Sequence, residues 1–407
     1  MYDWVVLWEW VEIAFRWLHV ITAIAWIGSS FYFIALDLGL HRDRNLASGA
    51  DGEEWQVHGG GFYHIQKYLV APGSMPDHLV WFKWESYATW LTGFAMLALV
   101  YYLGAEMFLI DPQVMELQVW QAVVISVASL AFGWVAYNTI CKVFVNANQN
   151  LLMLALFGVL VAMAWFYTQV FSGRAAMLHL GAFTASIMSG NVFFVIMPNQ
   201  RVVVADLKAG RKPDPKYGKI AKQRSTHNNY LTLPVIFLML SNHYPLIFAT
   251  DYNWIIASLV FLMGVTIRHW FNTKHARLGN PHWTWGVTVV LFLIIAWLST
   301  NPRRTVPEPE AKLDGSALVY ANAAGFGDVV SIVQGRCSMC HAAEPAWEGL
   351  YWPPKGVVLE TEAQIAHEAR RIALQSGYSH AMPPGNLSYM EPQERQAIVD
   401  WYRSAGG

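Results

Sequence analysis

The stretch WVEIAFRWLHVITAIAWIGSSFYFIAL (10–36) is apolar for longer than a strand or an ordinary core helix requires. A helix rises 1.5 Å per residue, so about 20 such residues cross the hydrocarbon of a bilayer. Seven further stretches share this character, near 86–105, 117–140, 151–171, 175–198, 229–248, 253–271 and 282–299. The expected fold class is therefore all-α: a polytopic membrane helix bundle of about eight spans over residues 1–299. The gaps after the fourth and sixth spans are short, which makes those pairs hairpins.

Composition agrees with a membrane class. Hydrophobic residues make up 55% of the 407 and charged residues 14%, where a soluble chain carries about 25% charged residues. Mean hydropathy is +0.29. The net charge of −1 gives no footing for a nucleic-acid partner; the expected surroundings are the lipid bilayer. The opening MYDWVVLWEWVE has no Lys or Arg and does not look like a cleaved signal peptide.

Lys and Arg collect on the cytoplasmic side of membrane proteins. One set of inter-span loops carries nearly all of them, from Arg42 to Arg277, while the opposite set carries Arg174 alone. That asymmetry places the N-terminus outside, and with eight crossings the C-terminus also. The basic run Arg201 to Arg224 is expected to face the cytoplasm and anionic lipid. TAIAWIGSSFYFI (22–34) aligns weakly with TASIMSGNVFFVI (184–196), each preceded by a histidine, as a 4+4 duplication would produce.

Residues 300–316, rich in Pro and charge, read as a linker, and 317–407 are soluble in composition. There Cys337-Ser-Met-Cys340-His341 has the C-x-x-C-H pattern of covalent c-type haem. Two thiols one helical turn apart can each bond a haem vinyl group, and the next residue, His341, is an axial ligand for the iron. No second C-x-x-C completes a zinc site. Met382, in HAMPPGN (380–386), is the expected sixth ligand, and a thioether there raises the reduction potential. EPQERQAIVDWYRSAGG (391–407) has the capping signals of a closing helix. This segment resembles a small class I cytochrome c. Haem c is attached outside bacterial membranes, and the charge asymmetry independently puts the tail there.

Ionisable groups inside spans are functional candidates. His19 and His179 lie within the first and fifth spans, and Glu12, Arg16, His19, Ala23 and Trp26 form one stripe at helical spacing. Three roles compete. His19 and His179 could hold a b-type haem; Arg16 or Arg268 could pair with an anionic substrate; or Arg and His could simply reach the headgroups. HGGGFYHIQKYLVAPGSMPDH (58–78) reads as a long, apolar interhelical loop.

RWLHVITAIAWIGSSF, HGGGFYHIQKY, KWESYATWLTGF, RSTHNNYLTLPVIFLMLSNHYP and CSMCH…MPPGN together resemble the urate hydroxylase PuuD family. The resemblance implies a bacterial inner-membrane oxidoreductase with its N-terminus and cytochrome c domain in the periplasm. It would oxidise urate to 5-hydroxyisourate, pass electrons to its own haem c, and release them to a downstream respiratory acceptor. Arg16, His19 and His179 are the candidate catalytic residues. The competing function is a membrane-anchored electron-transfer subunit with no small substrate of its own.

Overall fold

Helix α1 (Trp4–Gly39) carries the opening apolar stretch unbroken. The computed structural model describes residues 3–43, 45–70, 72–73, 76–144, 148–300, 313, 315–348, 350 and 353–406. The chain divides into two units. One comprises Phe15–Asn242 and Leu246–Asn301, the other Met1–Ala14, His243–Pro245 and Pro302–Gly407. The linker expected at 300–316 lies almost wholly outside the described residues.

After α1 the larger unit continues with strands β1 (Ala50–His58) and β2 (Gly61–Tyr68), then α2 (Trp84–Met96), which runs into a π-helical turn over Leu97–Tyr102. Next come α3 (Ala105–Phe108), α4 (Val119–Val143), α5 (Gln149–Val170) and α6 (Gly173–Gly190). A second π turn, Asn191–Ile196, joins α6 to α7 (Met197–Lys208). The unit closes with α8 (Pro215–Ser241), α9 (Pro245–Phe248), α10 (Asn253–His275) and α11 (Trp283–Thr300). Six stretches among the described residues are long and apolar enough to cross a membrane: α1, α4, α5, α6 through α7, α10 and α11. The expected spans near 86–105 and 229–248 are helical too. The first is divided between α2 and its π turn, and the second is the apolar half of an α8 whose first half is polar.

Local chemistry fixes where these helices begin. The Asn148 side chain accepts the backbone N–H of Asn150 at 2.8 Å, and Ser172 accepts that of Ala175 at 3.3 Å. Asp214 accepts from Lys216 N at 2.9 Å, with Pro215 at the first helical position, where its missing donor costs nothing. The stretch from α6 through α7 lies deepest, with 61% of its apolar part buried against 6% for α1. Phe183, Tyr167, Phe171 and Leu180 form the core around it. Helices meet closely where glycine allows. A Cβ at Gly264 of α10 would lie 2.5 Å from the ring of Pro234 in α8.

The chain is mostly helical, and to the expected helices the structure adds a two-stranded hairpin, β1–β2, whose second strand takes up the first part of the expected loop. β1 pairs antiparallel with β2 across Gly59 and Gly60, whose φ values are +57° and +80°. Two positive-φ residues make the tight turn whose twist suits a hairpin, and glycine adopts it without strain. Trp55 and His64 sit opposite each other with rings stacked at 4.2 Å, and His64 Nε2 lies 2.8 Å from Glu53.

In the smaller unit follow α12 (Gly315–Ala321), α13 (Phe326–Arg336), α14 (Ser338–His341), α15 (Glu362–His367), α16 (Ala369–Ile372) and α17 (Pro392–Ser404). Trp401 is its anchor: the indole N–H donates to Tyr320 O at 2.9 Å and the ring stacks on Phe326. α17 is the closing helix expected from the sequence, with a capping box between Glu391 and Glu394.

Gly264→Leu should lower the melting temperature of the detergent-solubilised protein by several degrees, since overpacking costs about 1–3 kcal/mol. Gly286→Leu in α11, where a Cβ meets nothing within 4 Å, should leave it unchanged. Differential scanning fluorimetry compares the two.

Candidate functional site

His19 turns from α1 toward α2. Its Nδ1 lies 3.1 Å from Thr89 O, which can only accept, so Nδ1 carries the proton and Nε2 keeps its lone pair. Gly93 lets the ring in; a Cβ there would be 2.8 Å from it. His179, on α6, is fully buried. Its Nδ1–H donates to Ala175 O at 2.8 Å, and its Nε2 accepts from Ser126 Oγ, also at 2.8 Å. Tyr101, Tyr167 and Phe171 surround the ring. Arg16 is exposed on α1, and Trp26 packs against Val192, Ile196 and Met197. Among the described residues Arg16, His19 and His179 have no partner in common. As placed, both ring nitrogens of His179 are hydrogen-bonded.

The densest buried polar chemistry lies on the polar half of α8, in RSTHNNY (224–230). Arg224 is 3% exposed, which corrects its expected place at the end of a cytoplasmic basic run. Its Nη2 donates to Asn138 Oδ1 at 3.0 Å and its guanidinium carbon lies 4.9 Å from the centre of the Tyr137 ring. Its Nε and Nη1 have no hydrogen-bond partner among the described residues. One turn on, His227 Nδ1 and the Tyr137 hydroxyl are hydrogen-bonded at 2.7 Å, and His227 Nε2 lies 3.5 Å from the amide nitrogen of Gln149, at the start of α5. Asn228 accepts from Asn191 Nδ2 at 3.0 Å and donates to Met188 O at 3.0 Å. Asn191 opens the second π turn, and its Oδ1 is buried without a partner among the described residues.

The opposite side of α8 holds a second buried cation. Arg268, from α10, donates through Nε and Nη2 to Asn229 Oδ1 at 3.3 and 3.2 Å, and through Nη2 to Asn272 Oδ1 at 2.9 Å. The guanidinium carbon sits 4.1 Å from the centre of the Phe31 ring. Among the described residues neither Arg224 nor Arg268 forms an ion pair with a carboxylate. Of these residues the sequence singled out only Arg268. The available signal was Arg224, His227 and Asn228 at i, i+3 and i+4 on a helix continuing into an apolar run.

In the smaller unit Cys337, Cys340 and His341 lie on a single helical turn, in which Cys337 O accepts from Cys340 N and His341 N at 3.1 and 2.9 Å. Three-residue spacing on a helix directs both thiols to one side. Burial pushes the Cys337 thiol up to about 11. His341 Nδ1–H donates to Val357 O at 2.9 Å, while His341 O accepts from Leu359 N at 2.7 Å. This arrangement fixes the tautomer and presents Nε2 with its lone pair, as a metal-binding imidazole requires. The Met382 loop is held by its backbone: Met382 N donates to Gln375 O at 2.8 Å and Met382 O accepts from Arg395 at 2.8 Å. Arg395 is buried and also donates to Ser376 O and Asn386 Oδ1. Its positive charge acts on the Cys337 thiol, opposing the effect of burial.

Asn229→Leu should destabilise the larger unit by about 2–4 kcal/mol, because it strips a buried charge of its shared amide oxygen. The expected readout is a lower melting temperature that a Tyr244→Phe control at an exposed position does not show.

The family model described as Urate oxidase N-terminal matches residues 5–299. Comparison with curated proteins and with solved structures finds no match.

Proposed function

The chain belongs to the Urate oxidase N-terminal family, and from that premise we propose that it is a membrane-bound dehydrogenase of urate that discharges electrons into its own C-terminal cytochrome c domain. Family membership makes it a urate-related oxidoreductase; the route of the electrons is the proposal. The observation that carries it is the His341 ring, held by Val357 O with Nε2 free, beside Cys337 and Cys340 on one turn. These residues would hold a covalent haem, with the Met382 thioether as a further ligand from its loop.

A bound haem supplies a one-electron acceptor of raised potential. The remaining chemistry follows from balance. Urate and water give 5-hydroxyisourate, two protons and two electrons. With electrons leaving through the tail one at a time, the new oxygen at C5 comes from water. Val357 and Leu359 hold the His341 ring and backbone, and Arg395 fastens the Met382 loop by its carbonyl.

The six long apolar helices are compatible with a bacterial inner-membrane setting. The charge asymmetry supports an N-terminus and C-terminal unit on the periplasmic side, from which a downstream respiratory acceptor would collect the electrons.

Turnover in ¹⁸O-labelled water should put the label into the product, and turnover under labelled dioxygen should not. Label taken from dioxygen would mean that oxygen, and not the tail, is the electron acceptor. Replacing Cys337 and Cys340 together with Ser should leave no haem attached after acid–acetone extraction.

A further inference from the structure

A cation buried in a helix bundle without a counter-ion is costly, because neither lipid nor apolar side chains solvate it. The two buried arginines beside α8 meet that cost differently. Arg268 spends Nε and Nη2 on the oxygens of Asn229 and Asn272, and its plane lies on Phe31. Arg224 gives Nη2 to Asn138 and keeps Nε and Nη1 without partners among the described residues. Asn191 Oδ1, an acceptor, is likewise buried and unpartnered. Asn191 belongs to the same group: its Nδ2 bonds Asn228, the neighbour of His227, and His227 bonds the Tyr137 on which Arg224 rests. It also opens a π turn, a local widening that often marks functional positions.

We infer that Arg224 and Asn191 form the binding site for the anionic purine substrate, with His227 holding the Tyr137 ring beside Arg224, an inference that rests on the family-based reading of a urate enzyme. Urate at neutral pH is a planar monoanion edged with both carbonyl oxygens and ring N–H groups. The Arg224 nitrogens are donors for its anionic edge and supply the missing charge balance. Asn191 Oδ1 accepts from a ring N–H. The Tyr137 ring, its centre 4.9 Å from the guanidinium carbon, is a cation–π support for Arg224. Arg224 and Asn191 are binding residues and His227 is a positioning residue that acts through Tyr137; no proton transfer is assigned to them.

Access follows from Gln149. This residue is exposed at the start of α5 and its amide reaches His227. Lys142, near the end of α4, belongs to the loop set placed on the cytoplasmic side. The site therefore opens where α4 ends and α5 begins.

Equilibrium dialysis of radiolabelled urate tests the site, using the purified full chain under argon after reduction, so that no turnover occurs. Arg224→Gln should weaken binding at least tenfold. Asn191→Asp should weaken it as much, since the new carboxylate satisfies Arg224 and repels the anion, while its melting temperature should not fall below that of the wild type. A purely structural role for the cluster predicts a changed melting temperature with unchanged affinity. Wild-type affinity in both folded variants would overturn the site and leave the enzyme reading standing. If Arg224→Gln does not fold, Asn191→Asp decides alone. A wild-type chain that neither binds nor oxidises urate would overturn the enzyme reading and the ligand assignment together.

Discussion

Charge buried among helices has to be balanced from within, and that constraint organises the larger unit. Lipid offers no hydrogen bonds, so backbone groups are satisfied inside helices and every polar side chain between them needs a partner. The polar half of α8 supplies most of those partners. On one side it gives Asn229 to Arg268, and on the other it gives His227 and Asn228 to Tyr137 and Asn191. The deep burial of α6 follows from the same arrangement, since it packs against α8 while presenting His179 to Ser126 on α4. The geometry of Arg224 differs because its satisfaction is incomplete.

The smaller unit obeys the same rule with different means. A buried arginine, Arg395, donates through Nη1 to the carbonyls of Ser376 and Met382 and through Nη2 to the amide oxygen of Asn386. It draws into place a loop that has little secondary structure of its own. His341 is likewise fixed on two sides by the 357–359 segment. Both expected axial residues are positioned by backbone contacts, which leaves their side-chain donor atoms for other duty.

How much could be read in advance depended on the range of the interactions. Cys337, Cys340 and His341 were legible because their chemistry is contained in five residues, and α17 because capping is local. The long apolar helices were legible from composition alone. The hairpin is hard to see in sequence because its charged strand, DGEEWQVH, does not alternate cleanly, so the Gly59-Gly60 turn signal stands without a strand pattern on its N-terminal side. Arg224 reads as a loop cation in sequence because its sequence neighbours are basic and polar. Its burial is decided by Asn138 and Tyr137, more than 80 positions away. His19 and His179 illustrate the converse: equivalent in sequence pattern, they have unlike surroundings, one with a free Nε2 and one fully bonded.

The central claim is that urate electrons enter the chain's own covalent haem without help from another protein. Anaerobic titration of the oxidised, purified full chain with urate, following the c-type absorbance, measures this directly. The account predicts complete reduction with two haems reduced for each urate consumed. A spectrum that stays oxidised with excess urate yet reduces with dithionite would contradict it.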